Sequence, residues 1–323
     1  MLSTWKDDYL GDVIELWNRE AVREGYKEMT EESFRRVFLS SPYFDSANTF
    51  VWTDGEGGPV QGFACGCSGD DLPLGADAGY VTCAFLEGEA GTEENYAILL
   101  DAIEARFREL GKKQAEVLFF NPMMLPWYIP GTPKHEHNNA PGVPEGSELH
   151  RVLLNRGYAQ RATQHAMYLP LDGFAIPEEI RVKEGKARSE GYTVALHDPE
   201  RVRGVEPMLD ALGNPLWSRE ISQSVAAGIP VVMADFRGEA VGFAGPVIRQ
   251  ESGRGYFAGI GVRPEHEGHG LGSILFFKLC EAFRNIGTEY MSLYTGSTNP
   301  AIKIYEKACF RTVKKFAIMR KEF

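Results

Sequence analysis

Between Val262 and Gly272 the chain reads V-R-P-E-H-E-G-H-G-L-G, with glycine at 268, 270 and 272. A segment without Cβ atoms lets backbone N–H groups come close to a bulky anion, and it permits left-handed φ values. Leu271, Leu275, Leu279 and Phe283 follow at four-residue spacing, which predicts an amphipathic helix over about 271–286. The positive end of that helix points at the same place. Glycines and helix start together would cradle phosphate groups, whereas alternate glycines alone would make only a tight turn. Two other phosphate devices are excluded by spacing. A dinucleotide fingerprint needs G-x-G-x-x-G early in a strand–helix–strand unit, and here G-x-G-x-G comes after three strand-like runs. The lysine-containing nucleotide loop needs G-K-[S/T], which the chain lacks.

The elements that must position this cradle are legible around it. The second half reads as a strand at 191–197, helices around 199–212 and 217–227, and strands near 229–236, 240–249 and 254–262. After the 271–286 helix come a strand at 289–295, a helix at 299–308 and a strand at 310–320. Turns between the strands of 229–262 are too short for crossover helices. The fold class is therefore α/β in the α+β sense, a mixed, mostly antiparallel sheet flanked by helices.

The same layout is written twice. Gly62-Phe63-Ala64 falls on Gly242-Phe243-Ala244 at an offset of 180. Phe107-Arg108 and Gly111 fall on Phe283-Arg284 and Gly287 at an offset of 176. The segment 150–158 falls on 302–310 at an offset of 152. Three anchors in one order point to an internal duplication. The offset drops where the first half carries the Pro- and Gly-rich stretch from Asn121 to Ser147, a loop long enough to be functional. Residues 1–170 form the first domain, with its long loop at 121–147. Residues 171–190 read as a linker from their Pro, Gly and charge, and 191–323 form the second domain.

The second half resembles the GNAT superfamily of acyl-CoA-dependent N-acyltransferases. Val262, Pro264, Gly270 and Gly272 match the family's V-x-P-x-x-[Q/R]-x-x-G-x-[G/A]. Asn299, Ala301, Tyr305 and Phe310 match its downstream N-x-A-x-x-x-Y-x-x-x-G-F. The duplicated layout resembles tandem members such as mycothiol synthase. The resemblance implies acetyl-CoA as cosubstrate and no metal. Backbone N–H groups of Ile260, Gly261 and Val262 would face the acetyl carbonyl. The segment Glu267, Gly268, His269, Gly270, Leu271, Gly272 and Ser273 would hold the pyrophosphate. Asn299 would bond the pantetheine arm or a water, and Tyr305 would protonate the leaving thiolate; alone, Tyr305 reads equally as a core tyrosine. Glu267 departs from the family's Gln or Arg, and His269 or Arg263 would have to offset its charge. Cys309 replaces a glycine. For the base, Glu220, Glu265 and a water relay stand equal.

Carried back by the same offsets, the three glycines fall on Thr92, Glu94 and Tyr96, Tyr305 on Leu153 and Asn299 on Ser147. The first domain should therefore be a degenerate copy that shapes or covers the substrate site. The implied reaction is transfer of an acetyl group to a primary amine of a small molecule or peptide, by direct attack in a ternary complex. The rival is a non-catalytic acyl-CoA-binding or interaction module.

Composition sets the remaining bounds. Lys plus Arg number 34 against 45 Asp plus Glu, a formal net charge of −11, which argues against nucleic acid or an anionic membrane as partner. Cys65, Cys67, Cys83, Cys280 and Cys309 are odd in number and lack paired spacing, which suits reduced thiols and a cytoplasmic location. No long apolar run or leader pattern is present. His135 and His137 read as a polar surface loop rather than a metal site. Trp127, Tyr128 and Trp217 suit pocket lining and packing equally. A homodimer is compatible with all of this.

Overall fold

The computed structural model describes residues 1–118 and 121–323. They form two compact units, and both are discontinuous in sequence. Unit 1 takes 1–166, 294–299 and 312–323; unit 2 takes 167–293 and 300–311.

Unit 1 opens with β1 (Leu2–Thr4), α1 (Leu10–Glu20) and the short α2 (Glu31–Phe34). Then come β2 (Phe44–Thr53), β3 (Val60–Cys67), β4 (Ala78–Leu86), α3 (Glu93–Glu109) and β5 (Gln114–Val117). The 121–147 segment holds the two-residue strands β6 (Trp127–Tyr128), β7 (Glu136–His137) and β8 (Val143–Pro144), followed by α4 (Glu148–Asn155) and β9 (Ala159–Pro170). Strands β1 to β5 pair in sequence order, and β17 (Arg311–Glu322) adds antiparallel to β5 with Met319 opposite Val117. The expected linear division into 1–170 and 191–323 thus sits beside a spatial one in which the 312–323 segment completes the first unit. Its basic residues meet buried carboxylates there. Lys321 Nζ lies 2.8 Å from Glu104 and Arg320 Nε 2.5 Å from Glu116, each carboxylate only 1% exposed.

Unit 2 begins with α5 (Glu178–Ser189), β10 (Tyr192–Leu196), α6 (Val205–Leu212) and α7 (Pro215–Ala226). Strands β11 (Val232–Phe236), β12 (Glu239–Gly245), β13 (Ile248–Arg249), β14 (Arg254–Tyr256) and β15 (Gly259–Val262) follow. Then come α8 (Leu271–Asn285), β16 (Tyr290–Gly296) and α9 (Ile302–Lys307). Alternation along β11 sends Val232 and Ala234 into the core under α8, and Val231 and Met233 into a second core with Met208, Leu209 and Ile221 of α6 and α7. Two covered faces explain why this strand reads as one apolar run. The 171–190 stretch is a structured part of this unit rather than a linker. Leu171, Phe174, Ile176, Ile180 and Ala187 are buried in the α8 core, and the charges of α5 occupy its outer face.

One packing device appears in both units at the 176 offset. A Cβ on Gly79 of β4 would stand 2.2 Å from the Phe107 ring, and one on Gly255 of β14 would stand 3.0 Å from the Phe283 ring. Each helix seats its phenylalanine on a glycine of the strand below, which supports the duplication by geometry that the anchors did not include. Gly79→Ala should therefore cost about 2–3 kcal/mol of unfolding free energy, and Gly255→Ala less, because overpacked buried rings must shift. Urea unfolding of the two variants reads this, and an unchanged midpoint for Gly79→Ala would remove the constraint.

Candidate functional site

The 262–272 loop adopts the backbone its glycines allow. Pro264–His266 form a 3-10 turn, and Gly268 and Gly270 hold φ values of +83° and +75°, in the left-handed region. Gly270 is the N-cap of α8 and offers no side chain to the helix. Among the described residues, no acceptor meets the N–H groups of Gly268, His269, Gly270, Leu271, Gly272 or Ser273. Helix starts normally find side-chain or solvent partners for such donors. A Cβ at Gly268 would touch nothing within 4 Å, and one at Gly272 would be 3.9 Å from Ile304. The protein's own packing therefore does not require a bare backbone at 272. Helix α8 keeps its place by burial instead, through residues such as Leu271, Ile274, Leu275 and Phe276.

The strand leading into this loop is broken, where the sequence suggested one continuous strand over 254–262. β14 pairs in parallel with β16, Gly255 opposite Met291, while β15 pairs with β12, Val262 opposite Gly242. The chain changes neighbours at Phe257–Ala258. Arg263 N–H donates to Val241 at 2.8 Å, so strand alternation turns Gly261 toward β12 and the N–H groups of Ile260 and Val262 away from it. On the α6–α7 face, the Trp217 indole lies against the strand. A Cβ on Gly259 would be 2.3 Å from its Nε1, and one on Gly261 would be 2.9 Å from Leu212. Trp217 Nε1 donates to the Ala258 carbonyl at 3.2 Å and its ring meets Phe243 edge-on. Trp217 is thus a packing residue that sets the bend.

A cleft of about 520 Å³ brings together most of the residues singled out from sequence: Ile260, Gly261, Val262, Glu267, Gly268, Gly270, Leu271, Gly272 and Ser273. His266, Ala301 and Ile304 complete its wall. Tyr305 stands one helical turn after Ala301 on α9. Its ring is 7% exposed and packs on Phe276 and Phe310, and its hydroxyl has no partner among the described residues. Burial pushes its pKa up from the ordinary 10.0. It is a core tyrosine whose hydroxyl remains available. Asn299 belongs to a segment of unit 1, where its N–H donates to Gly296 at 2.9 Å.

The two candidates for offsetting Glu267 are otherwise engaged. His269 Nδ1 lies 2.5 Å from Glu190, and Arg263 pairs with Glu265. Glu267 itself is exposed. Glu265 is an exposed partner of Arg263, with its pKa lowered first by a hydrogen bond from its own backbone. Glu220 on α7 instead accepts from Tyr256 of β14 at 2.6 Å, which ties a carboxylate to the strand at its bend.

The first half carries a closed counterpart. Helix α3 has Thr92 as N-cap, whose side chain accepts from Asn95 N–H at 3.2 Å, and Glu93 and Glu94 occupy its first turn. Leu153 is fully buried, and Ser147 caps α4 by accepting from His150 N–H at 3.2 Å. The long loop is more structured than a polar surface loop. His137 is 5% exposed and stacks on Trp127, which is itself buried and donates to Asn139. Among the described residues no group of three or more His, Cys, Asp or Glu is arranged to hold a metal ion. No described helix is long and apolar enough to cross a membrane. Cys65, Cys67, Cys83 and Cys280 are buried and Cys309 is exposed.

Comparison with known proteins agrees with this geometry. Residues 192–309 match the Acetyltransferase (GNAT) family. No curated protein matches the sequence. Among solved structures, a GCN5-related N-acetyltransferase from Sphaerobacter thermophilus is 15% identical with a TM-score of 0.61, covering 100% of this chain and 95% of that one. A tandem GNAT protein of the clavulanic acid biosynthesis pathway is also 15% identical, TM-score 0.55, covering 100% and 98%. A glucosamine N-acetyltransferase region in a fungal multi-domain β-N-acetylglucosaminidase is 14% identical, TM-score 0.66. It covers 99% of this chain, which spans only 38% of that structure. At these identities the likeness is one of fold, and it is the tandem GNAT fold rather than mycothiol synthase in particular.

The bend depends on the Trp217 contact. Gly259→Ala should lower unfolding free energy by about 1–3 kcal/mol, since the methyl must displace the indole. Chemical denaturation followed by tryptophan fluorescence reads this, and wild-type stability with an unchanged spectrum would show that the indole does not constrain the strand.

Proposed function

We propose that this chain, built on the tandem GNAT fold, is an N-acyltransferase that moves an acetyl group from acetyl-CoA to a primary amine, with its reaction site in unit 2. The observation that carries this reading is the row of amides from Gly268 to Ser273 at the start of α8, which have no acceptor among the described residues. Such a row suits a pyrophosphate, because several N–H dipoles and the helix end converge on one anion.

The rest of the reading follows from the bend. The N–H groups of Ile260 and Val262, turned away from β12, polarise the thioester carbonyl in this reading, and oxyanion donors of this kind are worth roughly 3–4 kcal/mol each in the transition state. Tyr305 gives its proton to the departing thiolate. Of the two carboxylates considered from sequence, Glu220 is the better base, because Tyr256 anchors it to the reacting strand while Glu265 is engaged with Arg263. Unit 1 holds no second coenzyme, because Thr92 already caps the corresponding helix. The protein acts in the cytoplasm, on a small-molecule or peptide amine and without a metal.

Four outcomes test this. Thiol release from acetyl-CoA should appear with at least one member of a panel of primary amines; binding without release on every amine would leave only a binding module. Tyr305→Phe should lower turnover about ten- to a hundredfold with little change in CoA affinity. The raised pKa of Tyr305 keeps the acid protonated past 10.0, so turnover should climb with pH as the amine loses its proton, with no descending limb below that value. A fall in rate between neutral pH and 9 would discard Tyr305 as the acid. Calorimetric titration should give one CoA per chain, and two equal sites would refute the closed first half.

A further inference from the structure

The loop carries a carboxylate, Glu267, where the anion should sit, and both side chains expected to balance it are paired elsewhere. Two others are placed to take over. Lys183 lies on α5, and its stem runs over the cradle: a Cβ on Gly270 would be 3.7 Å from Lys183 Cδ. The ammonium lies two bonds beyond that atom. The neighbouring basic residues of α5 have acceptors, Lys186 with Glu190, Arg188 with Glu184 and Arg181 with the Ile176 carbonyl. Among the described residues none pairs with Lys183.

His266 forms part of the cleft wall beside Gly268 and Gly270. Its Nδ1 is 3.1 Å from the Tyr192 hydroxyl, and its ring is flanked by Tyr192 edge-on and by Phe236. No described residue meets Nε2. A hydroxyl that donates into Nδ1 leaves the imidazole proton on Nε2, because the bond at one nitrogen fixes the tautomer at the other. The flanking rings fix the orientation of the imidazole, and with Tyr192 as donor its Nε2 keeps a proton to give.

We propose that Lys183 and His266 are the side-chain ligands of the coenzyme's phosphates, supplying the charge and the directed hydrogen bond that Glu267 cannot give. This rests on the acyl-CoA reading of the same cleft. Tyr192 is a positioning residue that holds the imidazole.

The test is calorimetric titration of CoA into the full chain at low and high salt. Lys183→Met should weaken binding about three- to tenfold at low ionic strength, with the difference shrinking in 0.5 M salt as screening sets in. His266→Phe keeps an aromatic ring against Tyr192 and Phe236 but removes the donor, and should weaken binding about tenfold or more at both salt concentrations, as expected for a hydrogen bond to a charged group. His266→Gln restores an amide donor near the Nε2 position and should stay within about threefold of wild type. Wild-type affinity in Lys183→Met or in His266→Phe removes that residue from the site. Equal losses in His266→Phe and His266→Gln would reduce His266 to a packing role. Absence of CoA binding by the wild-type chain would overturn the coenzyme reading itself, before any variant is compared.

Discussion

Six consecutive backbone donors with no acceptor among the described residues, Gly268 to Ser273, are the constraint around which unit 2 is arranged. Leaving them open forgoes the roughly 1 kcal/mol that a side-chain cap would contribute, and holding two residues at positive φ costs glycine less than any other residue. Helix α8 is secured by other means. Its inner face is buried from Leu271 to Phe283, and Phe283 drops onto Gly255. Helix α3 of unit 1 shows the opposite arrangement. It seats Phe107 on Gly79 in the same way but closes its N-terminus with Thr92. One scaffold thus carries an open helix end in one copy and a sealed one in the other, and a few residues before the helix make the difference.

The bend at Phe257–Ala258 is the second requirement. β15 stays hydrogen-bonded to β12 and leaves the N–H groups of Ile260 and Val262 turned outward, while β14 stays with β16. Bare positions at 259 and 261 let Trp217 and Leu212 press against one face of the strand. Tyr305 on α9 has its ring fixed by Phe276 and Phe310. Each group is positioned by burial of its apolar part and keeps its polar end unused. That is the arrangement a site needs when its donors must be aligned before the ligand arrives.

Much of this was legible in the sequence because the signals are local. Glycine spacing, the Leu271–Leu275–Leu279–Phe283 stripe and the repeated Phe-Arg pair each depend on residues within a turn or two of one another, and the 271–285 helix and the mixed sheet follow from them. What escaped depended on distant partners. The charged, Pro-containing 171–190 stretch suggested a linker, yet Ile180 and Ala187 are buried against residues about a hundred positions away. His269 looked available for an anion, but Glu190 lies within reach of it, and His266 carried no signal because its partner, the Tyr192 hydroxyl, lies 74 residues earlier. His137 read as a surface residue, but the loop folds Trp127 over it. The change of neighbours within 254–262 left no local mark beyond glycines whose purpose is a tryptophan forty residues earlier.

The placement of β17 bears on how the molecule is made. Residues 312–323 fill a place beside β5 in the first unit, and they bring the cations that neutralise Glu104 and Glu116 in its interior. A chain that ends at residue 166 therefore presents an uncovered β5 edge and leaves Glu116 without Arg320, while Glu104 keeps Arg108 but loses Lys321. The amino-terminal unit, although synthesised first, is the one that must wait. Its sheet is complete only once residues 312–323 have joined β5.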